Sequence, residues 1–258
     1  MRIIVLVKQI LDPAGITVRR DKERVFINRE EYIVDPGSKA AIEAALRLKG
    51  DGDEVVALSM GNLQADDALR EALAMGCDAA TLLSDKVFKD ADVSVTARIL
   101  AAAVEKLGGC DLVVAGREAG DTGAGQIGPR LAEALGYTQV TDVYTLAVAG
   151  NSLQATRRWT DGYATVETAL PAVVSVAPEA FPPRYAHGAR IMSAYREWDV
   201  MTWSAADLVL DDSALKPQLT FRSETFPPPL EVGEKFRGNP ADVAQDVVMA
   251  LKLQKLIG

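Results

Sequence analysis

Short apolar runs alternate with amphipathic segments along the first two thirds of the chain. Ile3–Val7 is continuous and β-branched, which predicts a buried strand. Ile16–Val18 and Val25–Ile27 flank a charged turn and predict a hairpin. Asp35-Pro36 opens a helix over Ser38–Lys49, with proline close to the first helical position. A strand at Glu54–Leu58 follows. Asn62 then caps a helix carrying Ala65, Leu69, Ala72 and Leu73 on one side, stopped by Gly76. Ala79–Leu83 is a further strand. Asp92 starts a helix with Val95, Ile99, Ala103 and Leu107 inward, stopped by Gly108. Leu112–Ala115 is a strand, followed by a segment rich in glycine and a helix closed by Gly136.

Beyond Thr138 the rhythm changes. Val140–Val148 and Leu153–Arg158 predict an antiparallel pair joined at Gly150-Asn151, and Ala172–Val176 is another apolar strand. Residues 178–200 carry three prolines and read as a loop. Residues 211–240 are proline-rich and aperiodic, an extended arm rather than core. An amphipathic helix from Asn239-Pro240 to Ile257 ends the chain, with Val243, Val247 and Leu251 on one side. The expected fold is therefore α/β, a doubly wound and mostly parallel sheet with a small antiparallel section and an extended C-terminal arm. Residues 1–200 form the α/β domain and 201–258 the arm and helix. In such sheets ligands bind outside the carboxyl ends of the strands. The loops after Val7, after Leu58 and after Ala115 should meet in one crevice, with Asp35 in reach from its helix start.

Composition narrows the function classes. Hydrophobic residues at 48% and charged ones at 25% are ordinary globular values. A net charge of −8 argues against a nucleic-acid or anionic-membrane surface. No apolar run approaches the roughly 20 residues that span a bilayer. Cys77 and Cys110 each begin an apolar run and read as buried, inert thiols, which suits a reducing compartment. The first residues enter a strand without a signal-peptide layout, so the cytoplasm is the expected location.

The chemistry concentrates in one place. The segment after Ala115 holds Gly116, Gly120, Gly123, Gly125 and Gly128. Strand, glycine segment and helix start present backbone N–H groups to a phosphate, and the helix adds its positive end. Thr122 and Gln126 supply further donors. Asp121 is awkward beside a phosphate and suits holding the loop or a ribose hydroxyl. There is no Gly-Lys-Ser/Thr, so the segment is not a Walker loop, and its late position excludes a Rossmann fingerprint. His187 is the single histidine, with no nucleophile motif beside it, so catalytic triads and histidine-rich metal sites find no support. Glu30-Glu31 and Asp66-Asp67 read as solvated pairs. Trp159, Trp198 and Trp203 suit core packing or an interface. The pattern is nucleotide binding without evident catalytic machinery, which is unusual for an enzyme.

Seven segments in order, Val7–Asp12, Asp35–Lys49, Ala57–Gly61, Arg70–Asp78, Val113–Pro129, Leu170–Val176 and Pro182–Ala194, resemble the β subunits of electron-transfer flavoproteins. The resemblance covers about residues 1–200. It implies a heterodimer with a homologous α subunit that carries electrons from flavin dehydrogenases to a quinone oxidoreductase or another acceptor. It implies an FAD held mainly by the α subunit and a structural AMP in the β subunit. In a branch that bifurcates electrons toward a ferredoxin-type acceptor, a second FAD replaces that AMP. By position, the nucleotide pocket would use Val7 and Lys8, then Asp35, Ser59 and Gly61, then Asp121, Thr122, Gly123, Ala124, Gly125, Gln126 and Ile127. Asp35 stands where asparagine is frequent in the family. Ile127 stands where AMP-binding members often have threonine. The reading takes AMP, with a second FAD as the alternative. Tyr185, His187, Gly188 and Arg190 fall in the family's partner-recognition loop, and Gly188 occupies the place of an anchoring leucine. The rival class is an ATP-hydrolysing or adenylating enzyme, for which Lys8–Gly15 offers no pyrophosphate loop.

Overall fold

The computed structural model describes residues 1–211, 213–220, 225–228 and 233–258. Strands β1 (Arg2–Leu6), β2 (Gln9–Leu11), β3 (Ile16–Arg19), β4 (Arg24–Ile27) and β5 (Tyr32–Val34) precede helix α1 (Pro36–Leu48). Then follow β6 (Glu54–Met60), α2 (Asp66–Met75), β7 (Ala79–Leu83), α3 (Val93–Lys106), β8 (Leu112–Gly116) and α4 (Ile127–Leu135). The later part contains β9 (Thr138–Ala149), β10 (Ser152–Trp159), β11 (Gly162–Ala169), β12 (Ala172–Val176), α5 (Gly188–Arg196), β13 (Met201–Trp203) and α6 (Pro240–Leu253).

The main sheet has nine strands in the order β11-β10-β9-β12-β8-β1-β6-β7-β13. From β9 to β13 every neighbouring pair is parallel, and β10 and β11 add the antiparallel section. The central strands read as continuous apolar runs because both faces are covered. Ile3 and Val5 face α1 and α2, while Ile4 and Leu6 face α3 and α4. The doubly wound α/β expectation is met. Helix starts follow local capping chemistry: Asp35, Asp92 and Asn239 each accept a backbone N–H of the first turn of α1, α3 and α6. Asn62 differs from expectation. It caps a short 3-10 turn at Leu63–Ala65, and α2 begins only after it.

Three elements escape the apolar pattern. β11 alternates small and hydroxyl residues, with Val166 its one large aliphatic, so its signal is faint. β13 is three residues long and is defined by pairing with β7. The segment read as a loop at 178–200 contains α5 in its second half. All three prolines precede residue 184, His187 caps the helix, and the helix packs on α2.

β9 carries a corner. Its first half pairs with β12 and its second half with β10, and both registers shift near Asp142. Asp142 has φ +55°, a left-handed conformation that aspartate tolerates better than branched residues.

By internal contacts the chain forms two units, residues 1–19 with 24–221, and 20–23 with 222–258. The first contains the sheet and α1–α5. In the second, α6 buries none of its residues, and Val248, Met249 and Leu253 are exposed. Among the described residues no helix is long and apolar enough to cross a membrane. Burial pushes the thiols of Cys77 and Cys110 up to about 12.

Candidate functional site

The carboxyl ends of β1, β6 and β8 open on one cavity of about 1260 Å³. Leu6, Leu58, Phe88 and Leu100 give it an apolar floor. Its rim is polar, formed by the residues after β1, the start of α1 and the glycine segment. The three loops singled out in the sequence do converge.

Of the expected nucleotide residues, Val7, Lys8, Asp35, Gly61, Thr122, Ala124, Gly125, Gln126 and Ile127 line this cavity. Ser59, Asp121 and Gly123 are not in its wall. Ser59 lies between Leu58 and Met60, so strand alternation turns it to the other side of the sheet. There it is 1% exposed, and its Oγ has no hydrogen-bond partner among the described residues. Asp121 sits outside and binds Lys8, with Oδ1 2.6 Å from Nζ, so that a charged pair bridges the loop after β1 and the glycine segment.

Asp35 is 2% exposed, and both of its oxygens are engaged. Oδ2 accepts from the Ser38 N–H at 3.1 Å and Oδ1 from the Gly120 N–H at 2.8 Å. Ser38 Oγ in turn accepts from the Lys8 N–H at 3.0 Å, and Lys8 O from the Asp35 N–H at 2.9 Å. One carboxylate thus caps α1 and fixes the glycine segment beside the end of β1. Close packing tightens this junction: a Cβ on Gly116 would meet the Gly37 backbone at 2.7 Å. Gly125 takes φ +61° just before Gln126, the residue that precedes α4.

Residues outside the expected set brace or extend the rim. Arg130 donates from Nε to Gln126 Oε1 at 3.0 Å and from NH1 to Ser94 Oγ at 2.8 Å, linking the starts of α3 and α4. The start of α4 has no side-chain cap, so its first N–H groups remain available beside Gln126 and Ile127. Lys86 and Lys89 bring further positive charge to the wall, against Asp85 and Glu118. Neither Lys86 nor Arg130 belongs to a recognisable spacing, so the chain alone does not flag them.

The expected recognition residues lie around α5. Tyr185 is fully exposed. His187 Nδ1 accepts from the Ala189 N–H at 3.3 Å and caps the helix. Gly188 is its first residue, with open space where a side chain would begin. The Arg190 guanidinium is committed inward: it donates to Leu73 O at 2.8 Å and Ala74 O at 3.1 Å at the end of α2, and lies over Trp198. Ile191, Met192 and Tyr195 are exposed on the same helix. Just before it, Arg184 Nε donates to Glu43 Oε2 at 2.7 Å, and Arg47 Nε to Glu43 Oε1 at 2.8 Å. Burial opposes the charge on Glu43, but the two arginines outweigh it and hold the carboxyl below its ordinary range.

The sequence matches the electron transfer flavoprotein domain over residues 24–208. It is 36% identical over 261 residues, the whole of both chains, to the electron transfer flavoprotein subunit beta of Thermoanaerobacterium thermosaccharolyticum. The same subunit of Clostridium acetobutylicum is 39% identical over 216 residues, 83% of each chain. The caffeyl-CoA reductase-Etf complex subunit CarD of Acetobacterium woodii is 36% identical over 265 residues, again all of both chains. With the parallel sheet and the cavity at its carboxyl ends, these matches establish that the chain belongs to the electron transfer flavoprotein family, among its β subunits.

Proposed function

We propose that the chain pairs with an α-type subunit and carries electrons from a flavin dehydrogenase to a quinone oxidoreductase or another acceptor, and that its cavity holds an adenine nucleotide, AMP in the first instance. One observation supports the nucleotide most: the loops after β1, β6 and β8 form a single cavity with an apolar floor and a rim of backbone donors and cations. An adenine ring suits the floor near Leu58 and Leu100. A phosphate suits the end where Gly125, Gln126 and the uncapped start of α4 meet. Lys8 is held nearby by Asp121 and adds positive charge. The flavin supplies the redox chemistry when bound. The chain's own part is to bind, orient and shield, so no acid, base or nucleophile is required of it.

The residues around Tyr185 and α5 would meet the electron donor, with Gly188 burying nothing where the family places a leucine. An anchoring leucine contributes roughly 1.5–3 kcal/mol when fully buried. The chain should therefore dock a conventional acyl-CoA dehydrogenase poorly or in another way.

A second FAD is the other reading. The cavity of about 1260 Å³ exceeds what a mononucleotide fills, since ligand pockets commonly run from about 300 to 1,000 Å³. Ile127 also offers no hydroxyl to a terminal phosphate. The test is to co-express the chain with its α-type partner, denature the purified complex and identify released nucleotides by mass. One FAD and one AMP per complex supports the simple carrier. Two FAD and no AMP supports bifurcation. No adenine nucleotide beyond the α-bound FAD removes the cavity assignment.

A further inference from the structure

Arg117 occupies an unusual junction. It follows β8 directly and belongs to the cavity wall. Its N–H donates to Val176 O at 2.9 Å, at the end of β12. In the chain it opens the segment that runs on to Gly125 and Gln126, which line the same cavity. Its guanidinium is spent on carboxylates: NH1 donates to Asp142 Oδ1 at 3.1 Å and reaches Glu179 Oε1 at 3.5 Å, and NH2 lies 3.7 Å from Glu118 Oε1. Glu179 Oε1 also accepts from Tyr144 Oη at 2.6 Å.

Asp142 is the left-handed corner of β9. Its N–H points at the buried Ser175 Oγ, 3.3 Å away, so backbone and carboxylate are both braced from the parallel part of the sheet. Everything after it, the second half of β9 with β10 and β11, turns on this residue. Arg117 thus opens the segment that lines the cavity, and its side chain holds the corner.

We propose that Arg117 is a positioning residue that ties closure of the glycine segment on its nucleotide to the corner at Asp142, and so to the order of the antiparallel section. The proposal rests on the nucleotide reading above. A merely static strut would hold the corner equally with and without ligand. A coupled one makes the corner respond to the ligand, because the two sites share one residue whose backbone serves one and whose side chain serves the other.

The experiment is hydrogen exchange followed by mass spectrometry on the complex with its α-type partner, stripped of nucleotide and then titrated with AMP and, separately, FAD. Peptides covering 118–127 report the glycine segment and those covering 143–149 the strand beyond the corner. In the native complex, ligand should slow exchange in both, by about tenfold beyond the corner, an ordinary size for coupling between sites. In Arg117→Gln, and in Asp142→Asn, which keeps the left-handed tolerance but drops the charge, the slowing should persist at 118–127 and vanish at 143–149. Arg117→Lys should recover part of it. Equal slowing at 143–149 in native and Arg117→Gln complexes overturns the proposal. So does slowing confined to 118–127 in the native complex. If neither nucleotide binds or slows 118–127, the cavity assignment fails first and takes this inference with it.

Discussion

Asp35→Ala should be the most damaging single change near the cavity, and its cost can be built from the contacts. The substitution removes the cap of α1, where Oδ2 accepts from the Ser38 N–H; such caps contribute about 0.5–2 kcal/mol. It also strands the Gly120 N–H that Oδ1 accepts, and a partly buried donor left without a partner costs about 1–3 kcal/mol. Together the loss is about 1.5–5 kcal/mol. Asp35→Asn keeps one acceptor oxygen but turns an N–H group on the second donor, so it should lose about half as much. Ser38→Ala is a control that leaves the Asp35 carboxylate and its two partners in place and removes only the acceptor of the Lys8 N–H, for about 1 kcal/mol. The assay is urea unfolding of the complex at fixed concentration, followed by circular dichroism, with midpoints converted through the slope. A loss below about 0.5 kcal/mol for Asp35→Ala would refute the reasoning, because neither the cap nor the Gly120 bond would then be contributing. Equal losses for Asn and Ala would show that charge, rather than acceptor geometry, holds the junction.

The Glu43 carboxyl lies below its ordinary value. Its stabilising effect is therefore complete above the unfolded value, roughly pH 4.3–4.5, and is lost as pH falls through the folded one. Stability measured from pH 6 to 3 should fall with a steeper acid slope in the native chain than in Glu43→Gln; identical slopes would refute the pairing. Ser59→Ala removes a buried hydroxyl with no hydrogen-bond partner among the described residues, so it should be neutral or stabilising by up to about 1 kcal/mol and leave nucleotide content unchanged. A clear loss in urea unfolding would contradict this. Gly188→Leu enters open space and should leave the unfolding midpoint nearly unchanged while speeding reduction by a conventional acyl-CoA dehydrogenase. Equal reduction of the two forms would end the docking argument.

The sequence by itself determined the parallel sheet and its helices. Apolar runs, Asp and Asn caps and stopping glycines act within a few residues, and these local signals coincide with β1, α1, β6, β7, α3, β8 and α4. It also located the crevice, because strand direction in a parallel sheet fixes which loops share an edge. It could not say which neighbours in the chain face the ligand. Leu58 and Met60 line the cavity and Ser59 does not, since alternation along a strand becomes meaningful only once the covering helices define two faces. Pairings across long separations were equally closed to it: Glu43 with Arg184, 141 residues apart, and Arg117 with Asp142, 25 apart. Arg190 shows the difference most clearly. In the chain it is a cation in an exposed loop, whereas in the fold it satisfies the last carbonyls of α2. Tertiary structure decided these roles because hydrogen-bond geometry and burial depend on what is brought opposite a side chain, and a sequence lists only what stands beside it.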